Sequence, residues 1–359
     1  MKKLGIAIVG CGMIAESHAL AIAGDGRCEL AAAAYGTNLE RGEAFASRFG
    51  APVIAGDYRE LFSKNGIRNK IDVVCVCTPS GLHAGCAVDF MDAGVHALVE
   101  KPLDITSEAI TKMIEASERN GTRLGCVFPN RTRPGLIRAA ELIASGSLGG
   151  VRVVECQYRG YRSPAYYRSS KWKGTKRLDG GGCLMNQGIH AIDAMIWLAG
   201  EVESVCGQIG ALGRDIEVED AAAALLRFKS GAQGVLMGTT LSHVPEDGPE
   251  GDRIRVECER GSIVYADGGA TYYKNGSADD FDVTAVPLGG DDGETVSSGA
   301  APANIDMRAH QIIFSDFISA VLEGREPLAP ARSARRAVDT VLAIYRSAES
   351  GRWENVEPR

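Results

Sequence analysis

The residues with the clearest chemical potential are a histidine and a lysine that are widely separated in the sequence. His190 stands in the run DGGGCLMNQGIHAID at 179–193, and an imidazole, whose ordinary pKa is near neutrality, suits a base that takes the proton of an alcohol while hydride leaves the carbon. Lys101 lies in Glu100-Lys101-Pro102, where a cation could orient an alcohol and stabilise a developing alkoxide. Each residue alone also has a simpler explanation: a core histidine for His190, and a surface ion pair with Glu100 for Lys101.

The glycine-rich run around His190 predicts a turn that leads into a helix over 186–198. On such a helix Asn186 and His190 share one face at spacing i, i+4, and Asp193 follows about one turn later. Asn186 is therefore a third candidate for the catalytic site, as a side chain that orients a substrate hydroxyl.

A second motif predicts a turn that binds a dinucleotide. Gly10-Cys11-Gly12-Met13-Ile14-Ala15 is a G-x-G-x-x-A pattern between an apolar, strand-like run and a helix-like stretch. Gly10 permits the tight turn, Gly12 lets the backbone approach a pyrophosphate, and Ala15 allows the helix to pack closely on the strand. The diphosphate would then lie at the helix N-terminus. The alternative is a plain glycine turn without a ligand.

The end of the second predicted strand bears on the choice between NAD and NADP. It reads Ala34-Tyr35-Gly36-Thr37-Asn38 and contains no acid that would hydrogen-bond a ribose 2′-hydroxyl. A neutral loop with Thr37, Asn38 and the nearby Arg41 could accept a 2′-phosphate instead. We therefore predict NADP, or use of both cofactors, with a solvated residue at a helix start as the alternative for Arg41.

Two further loops are expected beside the cofactor, because ligands of open α/β sheets bind beyond the carboxyl ends of the strands. One begins at Thr78-Pro79 and reaches His83, and the other is Glu100-Lys101. The predicted cofactor-binding residues are Gly10, Cys11, Gly12, Met13, Ile14, Tyr35, Thr37, Asn38, Arg41, Thr78, Pro79, His83, Glu100 and Lys101.

The order of elements predicts an α/β fold with two domains. Up to residue 127, apolar strand-like runs alternate with helix-like stretches, as in a parallel sheet covered by helices on both faces. After Pro129 the strand candidates alternate in polarity, which indicates a large, mostly antiparallel open sheet. We predict a Rossmann domain at 1–127 and an α/β domain at 128–359 for substrate binding and oligomerisation, with the C-terminal helix able to pack back on the first domain.

Composition argues for a small-molecule partner. The 359 residues carry 39 Lys+Arg against 46 Asp+Glu, a net charge of −7, and the chain lacks the basic runs expected of a binder of nucleic acid or anionic membranes. The ten cysteines show no zinc or thioredoxin spacing, so we expect no metal and a reducing, cytoplasmic location. The short apolar run after Met1-Lys2-Lys3 leaves export as a minor alternative.

Several motifs together resemble the Gfo/Idh/MocA oxidoreductase family in their order and spacing: the G-x-G-x-x-A turn, Glu100-Lys101-Pro102, Trp172-Lys173-Gly174-Thr175 and the run that contains His190. The resemblance covers essentially the whole chain. It implies a Rossmann domain followed by an α/β domain with a large open sheet. It also implies NAD(P)-dependent oxidation or reduction of a ring hydroxyl of a pyranose, inositol or nucleotide sugar, with Lys101 and His190 matching the catalytic lysine and histidine.

The chain departs from the family pattern at two places. Many sugar and inositol dehydrogenases of the family carry an aspartate at the position of Asn186. An amide can orient a hydroxyl but holds no charge against an imidazolium, so His190, alone or with Lys101, would have to manage the proton. The missing acid near Tyr35 argues against strict use of NAD.

The resemblance also places the substrate beside part of the second domain. There, aromatic side chains mixed with cations suit a polyol with a charged or stacked group, although loop packing and solvated surface explain them equally well. Tyr166 belongs to this stretch. The predicted substrate-binding residues are Lys101, Asn130, Arg131, Tyr161, Tyr167, Arg168, Trp172, Lys173, Asn186 and His190.

Two other functions remain open under the same resemblance. One is a glycosidase that uses tightly held NAD to oxidise C3 transiently before elimination. The other is a non-catalytic NADP-binding regulator, against which the presence of both Lys101 and His190 argues.

Because a large open sheet has one face that must be covered, we also expect a homodimer or homotetramer.

Overall fold

The computed structural model describes residues 2–63, 67–244, 251–266, 268–275, 283–288 and 307–356. The chain forms two compact units. The first unit comprises Met1–Phe128 and Met307–Arg335, and the second comprises Pro129–Asp306 and Arg336–Arg359. The first unit therefore contains a segment from late in the chain.

The first unit is built on a parallel sheet. Its strands are β1 Leu4–Val9, β2 Cys28–Ala34, β3 Ile54–Ala55, β4 Val73–Val76, β5 His96–Val99 and β6 Leu124–Cys126. They lie in the order β3-β2-β1-β4-β5-β6, and every neighbouring pair is parallel. This order is that of a Rossmann fold. Every residue of β4 is apolar and buried, as expected of a central strand with helices on both faces.

Helices cover this sheet, and one of them comes from the late segment. They are α1 Met13–Gly24, α2 Leu39–Phe49, α3 Glu60–Ser63, α4 His83–Asp92, α5 Ser107–Asn120 and α9 Met307–Glu323. Helix α9 packs against α1 and inserts Phe314 and Phe317 into the core. The close approach of Phe317 explains Gly125 in β6, where a Cβ atom would lie 2.8 Å from the phenyl ring.

The second unit is built on a larger mixed sheet. Its strands are β7 Val151–Arg159, β8 Val202–Gly210, β9 Ala221–Phe228, β10 Gln233–Thr239, β11 Arg253–Cys258, β12 Gly261–Ala266, β13 Gly269–Asn275, β14 Val283–Pro287 and β15 Glu354–Asn355. They lie in the order β14-β13-β12-β11-β7-β10-β9-β8-β15. Among the described strands of this second sheet, only β7 and β10 pair in parallel.

Among the described residues, helices cover one face of this sheet and the other face carries exposed side chains. The helices of the second unit are α6 Pro134–Ala144, α7 Pro164–Arg168, α8 Ile189–Ala199 and most of α10 Ala331–Ser350. Helix α8, almost wholly apolar, packs on β7 and β11. Burial alternates along β9 and β10, and the outward residues include Leu225 and Val235, which are 52% and 46% exposed. A cavity of about 640 Å³ lies on this part of the sheet.

The predicted fold class is confirmed, and the structure corrects one local prediction. The helix expected over 186–198 begins only at Ile189, because residues Cys183–Gly188 form a wider π-helical turn. Within the described residues, none of the helices combines the length and the apolar character needed to cross a membrane.

Candidate active site

The glycine turn of the first unit has the shape needed to receive a pyrophosphate. Gly10 has φ +97°, and a Cβ atom there would lie 2.5 Å from the carbonyl oxygen of Cys77, so only glycine fits. At Gly12 a Cβ atom would meet nothing within 4 Å, and Gly12 is the N-cap of α1 without a side chain to occupy the first N–H groups. Met13 and Ile14 form that first turn. The residues therefore fit a dinucleotide, whose diphosphate would lie in this open space.

The loop after β2 offers neutral side chains and a cation. Asn38 is the N-cap of α2, and its side-chain oxygen accepts a hydrogen bond from the Arg41 N–H at 2.9 Å. Thr37 and Arg41 are exposed, and Tyr35 is half-buried. Burial raises the pKa of the Cys11 thiol to about 12, and the Arg41 guanidinium acts in the opposite direction. The Arg41 charge therefore acts on Cys11, which belongs to the glycine turn.

The loop after β4 contains a hydroxyl that suits a ligand. The Thr78 hydroxyl is buried and has no hydrogen-bond partner among the residues that the structure describes, which is costly unless a bound group supplies one. His83 fixes the same loop, because its ring nitrogens lie 2.9 Å from the carbonyl oxygen of Thr78 and 2.8 Å from that of Pro102. Pro79, between Thr78 and His83, begins the turn into α4. The loops after β4 and β5 are thus tied together.

Lys101 follows a buried carboxylate that is held by histidines. His18 Nε2 lies 2.8 Å from Glu100 Oε1, and His310 Nε2 lies 3.8 Å from the same oxygen. Burial alone would raise the pKa of Glu100, but the hydrogen bond and charge of His18 bring it below its ordinary value, with smaller contributions from His310 and Lys101. Glu100 therefore anchors the residue that precedes Lys101, and sequence reasoning had not foreseen its partners on α1 and α9.

In the second unit, a buried carboxylate shapes the turn before His190. Glu219 accepts hydrogen bonds from the N–H groups of Gly182 at 2.8 Å and Leu184 at 2.9 Å, and from the Tyr345 hydroxyl at 2.9 Å. Burial raises the pKa of this carboxyl. The glycine run permits the approach, because a Cβ atom at Gly182 would lie 1.7 Å from the Glu219 carbonyl oxygen. The run thus serves close packing of backbone on backbone.

Asn186 and His190 are both held by polar contacts. Asn186 Nδ2 donates to Asp179 Oδ1 at 2.6 Å, and the other oxygen of Asp179 accepts from the Gly174 N–H at 2.7 Å. His190 lies in the first turn of α8 and is 3% exposed. Its carbonyl oxygen accepts from Asn130 Nδ2 at 3.4 Å. Asp179 begins the run 179–193 noted in the sequence, but no role was predicted for it.

Arg131, predicted to bind substrate, forms a buried ion pair. Its Nε and Nη2 atoms donate to the two oxygens of Asp193 at 2.8 and 2.6 Å, and its guanidinium lies 5.8 Å from the ring centroid of Trp197. This bidentate pair ties α8 to the turn Pro129–Thr132. In this structure Arg131 positions the helix that carries His190, and contact with a substrate stays a prediction.

A second polar group lies around Tyr166. Lys173 Nζ is 4.1 Å from the centroid of the Tyr166 ring and donates to Ser169 at 3.0 Å. Burial lowers the pKa of Lys173. Gln187 Nε2 donates to the Tyr166 hydroxyl at 3.3 Å, while Gln187 Oε1 is buried without a hydrogen-bond partner in the described part of the chain. Gln187 was not predicted, although it adjoins Asn186.

The remaining predicted substrate residues differ in exposure. Tyr167 is buried, and its hydroxyl lies 3.2 Å from that of Thr240. Trp172 is half-buried, whereas Tyr161 and Arg168 are exposed. The structure therefore gathers Asn130, Arg131, Asn186 and His190 on or against α8 and places Lys173 beside Tyr166, while Tyr161 and Arg168 lie at the surface of the second unit.

The fold and these two sets of residues define an oxidoreductase with a dinucleotide-binding domain, and comparison with known proteins agrees. Residues 4–128 match the model of the oxidoreductase family with an NAD-binding Rossmann fold, and residues 136–264 match the GFO/IDH/MocA C-terminal domain. The chain belongs to the GFO/IDH/MocA family of oxidoreductases, which confirms the resemblance noted in the sequence.

Named relatives include sugar dehydrogenases. The chain is 26% identical over 273 residues to levoglucosan dehydrogenase of Pseudarthrobacter phenanthrenivorans, covering 68% of this chain and 69% of the other. It is 28% identical over 326 residues to D-xylose 1-dehydrogenase (NADP(+)) 2 of Haloferax volcanii, covering 89% and 90%. Among solved structures, the WlbA dehydrogenase of Bordetella pertussis in complex with NADH and UDP-GlcNAcA has a TM-score of 0.85 and 28% identity, covering 100% of this chain and 99% of that one.

Proposed function

We propose that the protein is a dehydrogenase that interconverts a ring hydroxyl and a ketone on a sugar, cyclitol or sugar derivative. NAD or NADP, when bound, supplies the acceptor or donor of the hydride at nicotinamide C4. His190 takes the proton of the substrate hydroxyl, and Lys101 orients the oxygen and stabilises its developing negative charge. Asn186 orients a substrate hydroxyl.

The observation that carries this proposal is that a buried ion pair supports each of the two candidate catalytic residues. Glu100, buried with His18, precedes Lys101, and the buried pair Arg131–Asp193 fixes helix α8, whose first turn carries His190. Burying a charge costs free energy unless the charge is paired and hydrogen-bonded, as both of these pairs are. Sugar dehydrogenases among the relatives support the substrate class.

We further propose that the cofactor is NADP, or either form. The neutral side chains at the end of β2 and the nearby exposed Arg41 favour tolerance of a 2′-phosphate. Two relatives are named as NADP(+) enzymes, a xylose dehydrogenase and a scyllo-inositol dehydrogenase.

The deciding experiment records absorbance of the reduced nicotinamide with NAD and NADP separately, over a panel of hexoses, uronates, inositols, anhydrosugars and UDP-sugars. A signal with one substrate supports the proposal and fixes cofactor and substrate together. Release of a reducing sugar from a glycoside without net change in absorbance would instead indicate a redox glycosidase. Silence throughout the panel, despite cofactor binding, would favour a regulatory protein.

We also propose that the open sheet face joins copies of the chain into a homo-oligomer, because it presents a row of exposed apolar side chains, Leu225 and Val235 among them. Light scattering after size exclusion should give a dimer or tetramer for the wild type and a smaller species for Leu225→Asp. A monomeric wild type would refute this proposal.

A further inference from the structure

Asp179 and Asn186 form a hydrogen bond in which Asn186 must be the donor. A carboxylate can only accept hydrogen bonds, so the amide group of Asn186 must turn its nitrogen toward Asp179, as the 2.6 Å contact from Nδ2 to Oδ1 records. The carbonyl oxygen of Asn186 then lies on the other side of the amide. Asp179 cannot turn away, because its second oxygen accepts from the Gly174 N–H at 2.7 Å.

Gln187, the next residue, also donates a hydrogen bond from its amide nitrogen. Gln187 donates from its amide nitrogen to the Tyr166 hydroxyl, and its carbonyl oxygen is buried without a partner among the described residues. A buried acceptor without a donor costs free energy that a bound hydroxyl would recover. Two successive amides are therefore held by their nitrogens, just before the helix that begins with Ile189 and His190.

From this arrangement we propose that Asp179 is a specificity-determining positioning residue that locks Asn186 as a hydrogen-bond acceptor, so that the site selects a substrate hydroxyl that donates. This inference rests on the proposed function for the nature of the substrate. The carboxylate at 179 is 2% exposed, and its role is to fix which end of the neighbouring amide faces the ligand.

The two residues allow substitutions that change polarity while they keep the hydrogen bonds. In Asp179→Asn, the new amide can accept from Gly174 with its oxygen and donate to residue 186 with its nitrogen. Asn186 must then rotate and accept with its own oxygen, which turns its nitrogen toward the substrate. In the double exchange Asp179→Asn with Asn186→Asp, residue 186 again presents an oxygen. In Asn186→Asp alone, two carboxylates meet and have to share a proton.

The first test needs no substrate. In the full chain loaded with NADP, the side-chain amide signals of Asn186 are assigned by their loss in Asn186→Asp and followed by 1H–15N NMR. We expect both protons to shift in Asp179→Asn and their hydrogen exchange to accelerate, since the bond to a carboxylate is gone. The matched control is Asp215→Asn, which removes an exposed carboxylate of the same unit. Unchanged Asn186 signals in Asp179→Asn would overturn the proposal, whatever the substrate.

The second test uses the substrate that the absorbance panel identifies. Asp179→Asn should lower kcat/KM by about 100-fold with an unchanged melting temperature, and the double exchange should return it to within about tenfold of the wild type. Asn186→Asp should gain activity as the pH falls, because the carboxylate pair then acquires its proton. A purely structural Asp179 would lower the melting temperature of Asp179→Asn, and the double exchange would not restore kcat/KM. Either of those results would overturn the proposal without touching the assignment of the enzyme as a dehydrogenase.

Discussion

Each unit holds its candidate catalytic residue through a buried carboxylate, but the partners of the two carboxylates differ in kind. In the first unit, one buried carboxylate, Glu100, gathers two titratable partners, His18 and His310, immediately before Lys101. In the second unit, the Glu219 carboxylate binds main-chain N–H groups and a tyrosine hydroxyl, which keep their protons over the ordinary pH range. The stability that the first anchor contributes should therefore fall as the pH falls, because the pKa of Glu100 is lowered. The second anchor should show the opposite dependence, because burial raises the pKa of Glu219, and it should also respond to loss of an acceptor.

The largest expected effect comes from removing the candidate catalytic side chains themselves. Lys101→Ala and His190→Ala should each lower kcat by about 100-fold to 10,000-fold, the usual range for loss of a general acid or base. Affinity for NADP, measured by calorimetry, should change little. Lys112→Ala, an exposed lysine on α5, is the control for Lys101. Loss of cofactor binding together with turnover would make the role of Lys101 or His190 structural.

The anchor of the second unit is tested by Glu219→Gln. The amide retains one acceptor oxygen and places an NH₂ group against the donors of Gly182, Leu184 or Tyr345, so a buried donor loses its acceptor. We expect a loss of about 3 kcal/mol in the free energy of unfolding, measured by urea titration at pH 7. Glu203→Gln on β8, an exposed carboxylate, should change it by less than about 0.5 kcal/mol. Equal stability of the two variants would contradict the role assigned to Glu219.

The anchor of the first unit is tested through pH. The pKa of Glu100 is lowered in the folded protein, so the stability that its charge contributes is present above the ordinary carboxyl pKa and is lost as the pH falls through the lowered value. Glu100→Gln should cost about 2 kcal/mol at pH 7, and the difference from wild type should shrink progressively below about pH 4.

His310→Gln provides the internal comparison for that experiment. Because His310 lies 3.8 Å from the Glu100 oxygen whereas His18 lies 2.8 Å away, His310→Gln should cost less stability than His18→Gln at neutral pH. A difference between wild type and Glu100→Gln that stays constant from pH 7 to pH 3 would show that the carboxylate acts through packing alone.

Sequence reasoning reached the elements whose signals are local. The strands after Pro129 were predicted from their alternating polarity, and burial alternates accordingly along β9 Ala221–Phe228. The family, the Rossmann fold and the oxidoreductase class also followed from motifs that are contiguous in the chain.

The parts that escaped prediction depend on contacts between distant residues. The wide turn Cys183–Gly188 is held by Glu219, which is distant in the sequence and accepts hydrogen bonds from the N–H groups of Gly182 and Leu184. Nothing within the turn itself indicates that partner. Likewise, nothing within the sequence of α9 shows that this helix joins the first unit and brings His310 to Glu100. The assigned roles of the substrate residues stay predictions, because exposure and spacing alone do not identify a ligand.

The smallest expected effect concerns an exposed charge, in contrast to both buried anchors. Arg41→Ala should weaken NADP binding by about fivefold to tenfold and leave NAD binding unchanged, because an exposed guanidinium contributes about 1 kcal/mol to an ion pair. The effect should diminish in high salt, as screening requires. Arg48→Ala, on the same helix and paired with Glu16, is the matched control and should alter neither affinity. Equal loss for both cofactors would assign Arg41 to the shared diphosphate, and tighter binding of NAD by the wild type would refute the predicted preference for NADP.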